Sequence, residues 1–338
     1  MEHQTWVSRY RDELKGFAIL WVMLFHSPLA LPGALDWVRQ LGYGGVDIFL
    51  FLMGMGLYRS LQTRDDLRSY VSRRLWRILP SYLPVIIIWM AVMYHGYALT
   101  PVQALRGVVG NVTMTGYWLQ TPRVFNWFAN AQFLYILLAP LCYAALACSR
   151  KPLRTLLILL AFMGCVGITG IGLKQMMALS RLPIFVLGMA FAMAWPVSKR
   201  KTAVRNAYAI AFLIGVAAVL VCHIRFPFLL NDFGMYWYPF ALITPGLCVG
   251  LAFLLQKAEK IRGLFTPLRT LGKASFEIYL LNIWMVELLK IWKVQGTFLW
   301  LVLCVFNALA GIGYHILVEN WSSRLQRKTP KNAGEIQA

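Results

Sequence analysis

Ten apolar runs of roughly 17–22 residues divide this 338-residue chain, and they constrain it more than any motif it carries. A helix of about 20 apolar residues crosses the ~30 Å of hydrocarbon in a bilayer. In such a run every backbone polar group must be satisfied internally, which leaves a helix as the simplest solution. The runs lie at about 14–31, 43–60, 78–97, 126–147, 155–173, 180–197, 205–224, 236–256, 272–293 and 298–319. Soluble domains carry about 25% charged residues to solvate their surface, whereas this chain has 14% charged and 59% hydrophobic residues. The expected fold is all-α: a polytopic membrane protein of about ten transmembrane helices, one transmembrane domain over residues 1–338, with a short disordered tail at 322–338.

A net charge of +20 suggests nucleic-acid binding at first sight. The basic residues, however, cluster at the ends of apolar runs and form no amphipathic face. With the N-terminus inside, 25 of the 33 Lys and Arg fall in inner segments and eight outside, Arg181 among the eight. That bias predicts both termini cytoplasmic, an even number of spans and a multi-pass protein of the cell's inner or plasma membrane. Lipids are then its surroundings and nucleic acid is not a partner. The six cysteines lie in or beside apolar runs with no CxxC and no metal-ligand spacing, so neither a disulfide framework nor a metal site is expected. The longest outer segment, about 97–125, reads as a connector or as a lid over an acceptor.

Ionisable groups inside hydrocarbon cost several kcal/mol and are candidates for function. His26 lies eleven residues beyond Lys15, about 16 Å from the inner face at ~1.5 Å per residue. Asp47 lies twelve residues before Arg59, about 18 Å from the same face on the next, antiparallel helix. Equal depth predicts a His26–Asp47 pair in which the carboxylate orients the imidazole and raises its basicity. The plain alternative is a histidine that only hydrogen-bonds between helices. Asn282, about 14 Å deep by the same measure, is a third polar member, and Glu277, about one turn in, reads as an interfacial charge. Arg74 and Arg77 are three apart, hence neighbours on one helix face at the inner mouth. They suit either a phosphate-bearing cofactor or lipid headgroups and topology.

These residues also resemble a family, the membrane-bound acyltransferase family 3, in the same order along nearly the whole chain. Lys15, ten intervening residues and His26 match its first-helix pattern, within Glu13-Leu14-Lys15-Gly16-Phe17-Ala18-Ile19. Gly44-Gly45-Val46-Asp47-Ile48-Phe49, followed by Met53-Gly54, is similar to its second-helix run. Arg74-Leu75-Trp76-Arg77-Ile78-Leu79-Pro80-Ser81-Tyr82 looks like its paired arginines before a Pro-x-Tyr. Trp127, Tyr135 and Pro140, then Leu271-Gly272-Lys273-Ala274-Ser275, Ile278-Tyr279-Leu280 and Val318-Glu319 complete the series. Three departures stand out: Asn282 where the family often has histidine, Met53 for the usual serine, and Asn130, Ala131 and Gln132 where many O-acetyltransferases carry a carboxylate.

The resemblance implies transfer of an acyl group, acetyl first of all, from cytoplasmic acyl-CoA, with no metal, to a hydroxyl of a glycan or lipid-linked sugar. It implies His26 as base and Asp47 as its orienting partner. Lys15, Arg74 and Arg77 then attract the CoA phosphates, and Tyr279 and Asn282 serve the oxyanion or the acceptor. On physical grounds alone a transporter or flippase of a glycan-linked or anionic substrate suits ten spans equally well, although the inverted repeats common in such proteins are not visible here.

Overall fold

Prolines and polar caps decide where the apolar runs become helices. A computed structural model describes residues 6–29, 31–63, 66–96, 99–169, 175–194, 201–226, 228–229, 237–260, 263, 265–291 and 296–328, and no strand occurs among them. The chain begins with α1 (Trp6–Arg9), α2 (Arg11–Phe25), α3 (Ala34–Gln40), α4 (Gly44–Gln62) and α5 (Leu67–Gly96). It continues with α6 (Pro101–Val112), α7 (Trp127–Ala147), α8 (Pro152–Thr169), α9 (Met176–Leu179) and α10 (Leu182–Ala194). The last are α11 (Lys201–Arg225), α12 (Trp237–Lys257), α13 (Thr266–Lys273), α14 (Ser275–Ile291) and α15 (Thr297–Lys328).

Seven of the ten expected runs are helices long and apolar enough to cross a membrane: Ala34–Gln62, Leu67–Tyr94, Trp127–Ala147, Met176–Met193, Asn206–Arg225, Tyr238–Lys257 and Thr297–Arg324. The other three runs form the shorter helices α2, α8 and α14, of 15, 18 and 17 residues. The first run, expected to be helical to residue 31, stops at Phe25 because Pro28 and Pro32 disfavour helical backbone before them. The chain then folds back through α3, which is tied to the end of α2 by the Trp21 indole N–H donating to the Val38 carbonyl at 2.7 Å and by Arg39 donating to the Ser27 carbonyl.

The inner loop before the third run is largely helix: α5 starts at Leu67 and carries Arg74 and Arg77 on one continuous rod. Asp66 caps it. Hydrogen bonds from the Ser69 hydroxyl and from the backbone N–H groups of Ser69 and Arg68 hold its carboxyl below the usual carboxylate range. The segment 97–125 contains a helix, α6, opened by a capping box between Thr100 and Gln103. Asn111 anchors the stretch that joins α6 to α7. Its buried amide donates to the carbonyls of Gly107 and Arg123 and accepts from the N–H of Phe125. At the far end the expected disordered tail is corrected in part, since α15 continues as helix to Lys328.

Among the spans, α4 and α10 are the most buried, while α11 and α15 present Leu213, Ile214, Val305 and Phe306 outwards, as lipid-facing helices must. The two central helices touch backbone to backbone at paired glycines. A Cβ on Gly54 would lie 2.2 Å from the Phe185 carbonyl oxygen, and one on Gly188 would lie 2.1 Å from that of Phe51. Where lipid tails are as apolar as the side chains, such close approach through small residues is what drives helices together.

Gly54→Val or Gly188→Val is expected to destabilise the protein by about 1–3 kcal/mol or more through overpacking. Gly164→Ala, inside α8 with no atom within 4 Å of the new methyl, is expected to leave stability unchanged or raise it by up to about 1 kcal/mol. Thermal melting of the detergent-solubilised variants checks the contrast.

Candidate active site

The side chains along four helices sort into two cavities lying end to end. On α2, Arg11 and Lys15 line one cavity, and Val22, Phe25 and His26 the other. On α4 the division falls between Val46 and Phe49; at the start of α7 it falls between Trp127 and Phe128. On α14, Glu277 faces the first cavity and Ile283 and Glu287 the second, while Tyr279 lines both. The first cavity has a volume of about 520 Å³ and is ringed by Arg11, Lys15, Arg74, Arg77 and Lys273. The second, about 660 Å³, is walled by Trp37, Tyr43, Tyr117 and Trp127, with His26, His223, Arg181, Asn126, Gln40 and Glu287 among its polar members.

The junction is built by one cap. Asn126 precedes α7, and its side-chain oxygen accepts from the N–H of Phe128 at 2.7 Å and of Ala129 at 3.2 Å. The same oxygen accepts the Tyr279 hydroxyl at 3.0 Å, and the Tyr279 ring meets Phe128 edge to face with centroids 5.2 Å apart. Capping α7 and orienting Tyr279 are therefore one arrangement.

Asp47 is the main correction to the sequence reading. Its carboxylate accepts from the Arg181 Nε at 3.2 Å, both side chains being almost wholly buried, and His26 is not among its partners. The charges that reach His26 are those of Lys290 and Glu287. Depth along two helices fixes only one coordinate. The direction in which α4 points Asp47, toward the α10 side, decides its partner, and it does not line the cavity that holds His26. Arg181 does line that cavity. It donates to the Met177 carbonyl at 2.8 Å and lies 5.0 Å from the centre of the Trp127 ring, a cation–π contact.

His26 itself caps the end of α2 and faces the 660 Å³ cavity. Lys15, Arg74 and Arg77 come together in the other cavity, with Lys15 also paired to Asp12 at 2.8 Å. Arg11 and Lys273 join them, two cations to which the sequence reading gives no place in the site. Asn282 is brought to neither cavity. It is wholly buried, and its amide has no hydrogen-bond partner among the described residues. Sequence reasoning misses Arg181 for a plain reason: it counts as an outer charge, and nothing local in Leu179-Ser180-Arg181-Leu182 marks it as buried. The signal available was Asp47 itself, a buried carboxylate that must find a cation.

Residues 9–316, nearly the whole chain, match the family model described as an acyltransferase domain, and the chain belongs to that family of membrane acyltransferases. No curated protein and no solved structure matches it. The resemblance is thereby established at the level of the family over these residues, with the Val318-Glu319 motif lying just beyond the match, and it tells against the transporter reading.

Asp47→Ala leaves the Arg181 guanidinium buried without its carboxylate, and is expected to cost about 3–5 kcal/mol. The double variant Asp47→Leu with Arg181→Met removes both charges and should recover most of that loss. Unfolding of the purified variants in one detergent decides between the two outcomes.

Proposed function

We propose that this protein transfers an acyl group, acetyl first of all, from a cytoplasmic acyl-CoA to a hydroxyl of a glycan or lipid-linked sugar, in the inner or plasma membrane, as in polysaccharide or cell-envelope O-acetylation. One observation carries the proposal: a cation-ringed cavity and a histidine-bearing aromatic cavity share a wall at Tyr279. A donor with phosphates belongs in the first, since guanidinium groups hold phosphate oxygens in pairs and Lys15, Arg74 and Arg77 supply the charge. An acceptor with sugar rings belongs in the second, against Trp37, Tyr43 and Trp127.

In this reading the acceptor hydroxyl gives its proton to His26 as its oxygen attacks the thioester carbon. The new C–O bond forms, the carbonyl oxygen carries negative charge, and the C–S bond then breaks to release CoA. Arg181, fixed by Asp47 and Trp127 at the edge of the same cavity, is the cation nearest in kind to what an oxyanion requires. Asp47 thus acts on catalysis through Arg181 and no longer as the partner of His26. Tyr279 positions the junction through its bond to Asn126. Asn282 keeps no role at the reacting atoms in this arrangement, since it lines neither cavity.

His26→Ala is expected to reduce transfer at least about 100-fold with folding and insertion intact; near-normal turnover by the purified variant would remove His26 as base. Arg74→Ala is expected to raise the KM for acetyl-CoA and to weaken the thermal stabilisation that acetyl-CoA confers, and an unchanged requirement would take the arginine pair out of the donor site. Mass spectrometry of surface glycans from cells with and without the protein identifies the acceptor by its added mass.

A further inference from the structure

The cation-ringed cavity also holds a histidine–carboxylate dyad that has no part in the transfer scheme built on His26. His315 on α15 and Glu277 on α14 meet across the helix pair, with Nδ1 of the ring 3.2 Å from one carboxylate oxygen. The other oxygen of Glu277 accepts from the Ser81 hydroxyl, and the Ser81 carbonyl in turn accepts the Tyr314 hydroxyl at 2.8 Å. Both oxygens of Glu277 are thus engaged, and the group is held from α5, α14 and α15 at once. The second ring nitrogen, Nε2, lies 3.6 Å from a carboxylate oxygen of Glu319, one turn along the same helix. A ring flanked by carboxylates on both nitrogens is satisfied when both nitrogens carry protons, since only the imidazolium donates twice.

Position gives this dyad a task. Glu277, His315 and Glu319 line the same cavity as Lys15, Arg74 and Arg77, whereas His26 lines the other. If acceptor and donor meet through the wall at Tyr279, the thioester presents its acyl carbon to the junction and its sulfur to the donor side. The proton taken from the acceptor is then held by His26 in one cavity, and the sulfur departs in the other, where His26 has no access to it.

We propose that His315, oriented by Glu277, is the acid that protonates the departing CoA sulfur. The inference rests on the donor reading of this cavity. As the tetrahedral intermediate collapses, the electron pair of the C–S bond passes to sulfur. Sulfur takes the Nε2 proton of His315, and CoA leaves as the neutral thiol. The imidazole regains a proton from bulk water at the cavity mouth, where the Glu319 side chain is 71% exposed, and His26 releases the acceptor's proton to water from its own cavity, which closes the cycle. A thiol with a pKa of about 8.5 is already a fair leaving group, so the gain is about tenfold, below the usual range for acid catalysis.

The test uses the full chain in lipid nanodiscs, acetyl-CoA as donor and the glycolipid fraction of the native membrane as acceptor, with CoA thiol release followed across pH. His315→Gln keeps a hydrogen-bond donor for Glu277 and cannot transfer a proton. Its expected result is a kcat lowered about tenfold, an almost unchanged KM for acetyl-CoA, and loss of the alkaline limb of the kcat–pH profile. Added imidazole should restore His315→Ala and leave His315→Gln as it is. The charged groups facing the ring that could mimic such a limb are Glu277, Glu319 and Lys15, with Arg74, Arg77 and Lys273 around the same cavity. Lys15→Met is therefore run beside it and should keep the limb. An unchanged profile in His315→Gln, or an effect confined to KM, overturns the inference while the acyltransferase reading stands. Failure of the wild-type protein to release CoA from acetyl-CoA overturns both.

Discussion

Asp47 and Arg181 place a full negative and a full positive charge in the part of the protein least able to solvate them, and much else is arranged around that contact. The pair joins α4 to the segment that opens α10, and these are the two most buried spans. Their backbones can come so close only because Gly54 and Gly188 carry no side chain. A buried charge that loses its partner is far costlier than a surface one, so the ion pair fixes the register of the two helices as firmly as the glycines fix their spacing. The same pair sets Arg181 at the edge of the larger cavity, stacked against Trp127. A charge that binds the helices together is thereby made available to the site.

Around this centre the polar side chains divide the work by cavity. Arginine and lysine side chains gather on one side of Tyr279, and His26 and His223 sit on the other with an aromatic wall. In the proposed reaction neither half suffices alone. Asn126 is the hinge of the design, in that one oxygen caps α7 and receives the Tyr279 hydroxyl. The dyad of Glu277 and His315 sets a further histidine among those cations, where the proposed transfer calls for a second proton movement.

Much of this is legible in the chain and some could not be. Helical, membrane-spanning architecture follows from apolar runs because lipid leaves the backbone few alternatives, and the family follows from ordered motifs between Lys15 and Glu319. Clustering of Lys15, Arg74 and Arg77 is also readable, since charge of one sign at one end of several helices must converge when they bundle. Contacts between helices are not. The partner of Asp47 depends on rotation about α4, a quantity that counting residues along the axis does not contain, so His26 is expected where Arg181 is found. Helix ends are misjudged where prolines intervene, as at Pro28, or where a basic tail continues as helix past a span, as at Lys328. His315 escapes notice because a lone histidine near a helix end carries no signal until Glu277, 38 positions earlier, is seen beside it.

The shared wall at Tyr279 has a consequence for the cell as well as for the chemistry. An energised membrane tolerates no open conduit, and a reaction whose two reagents approach from opposite faces would otherwise require one. Here the aromatic ring of Tyr279, tied to Asn126 and packed on Phe128, stands between the two cavities as a wall that both share. In the proposed transfer, only the small acyl unit has to pass that wall.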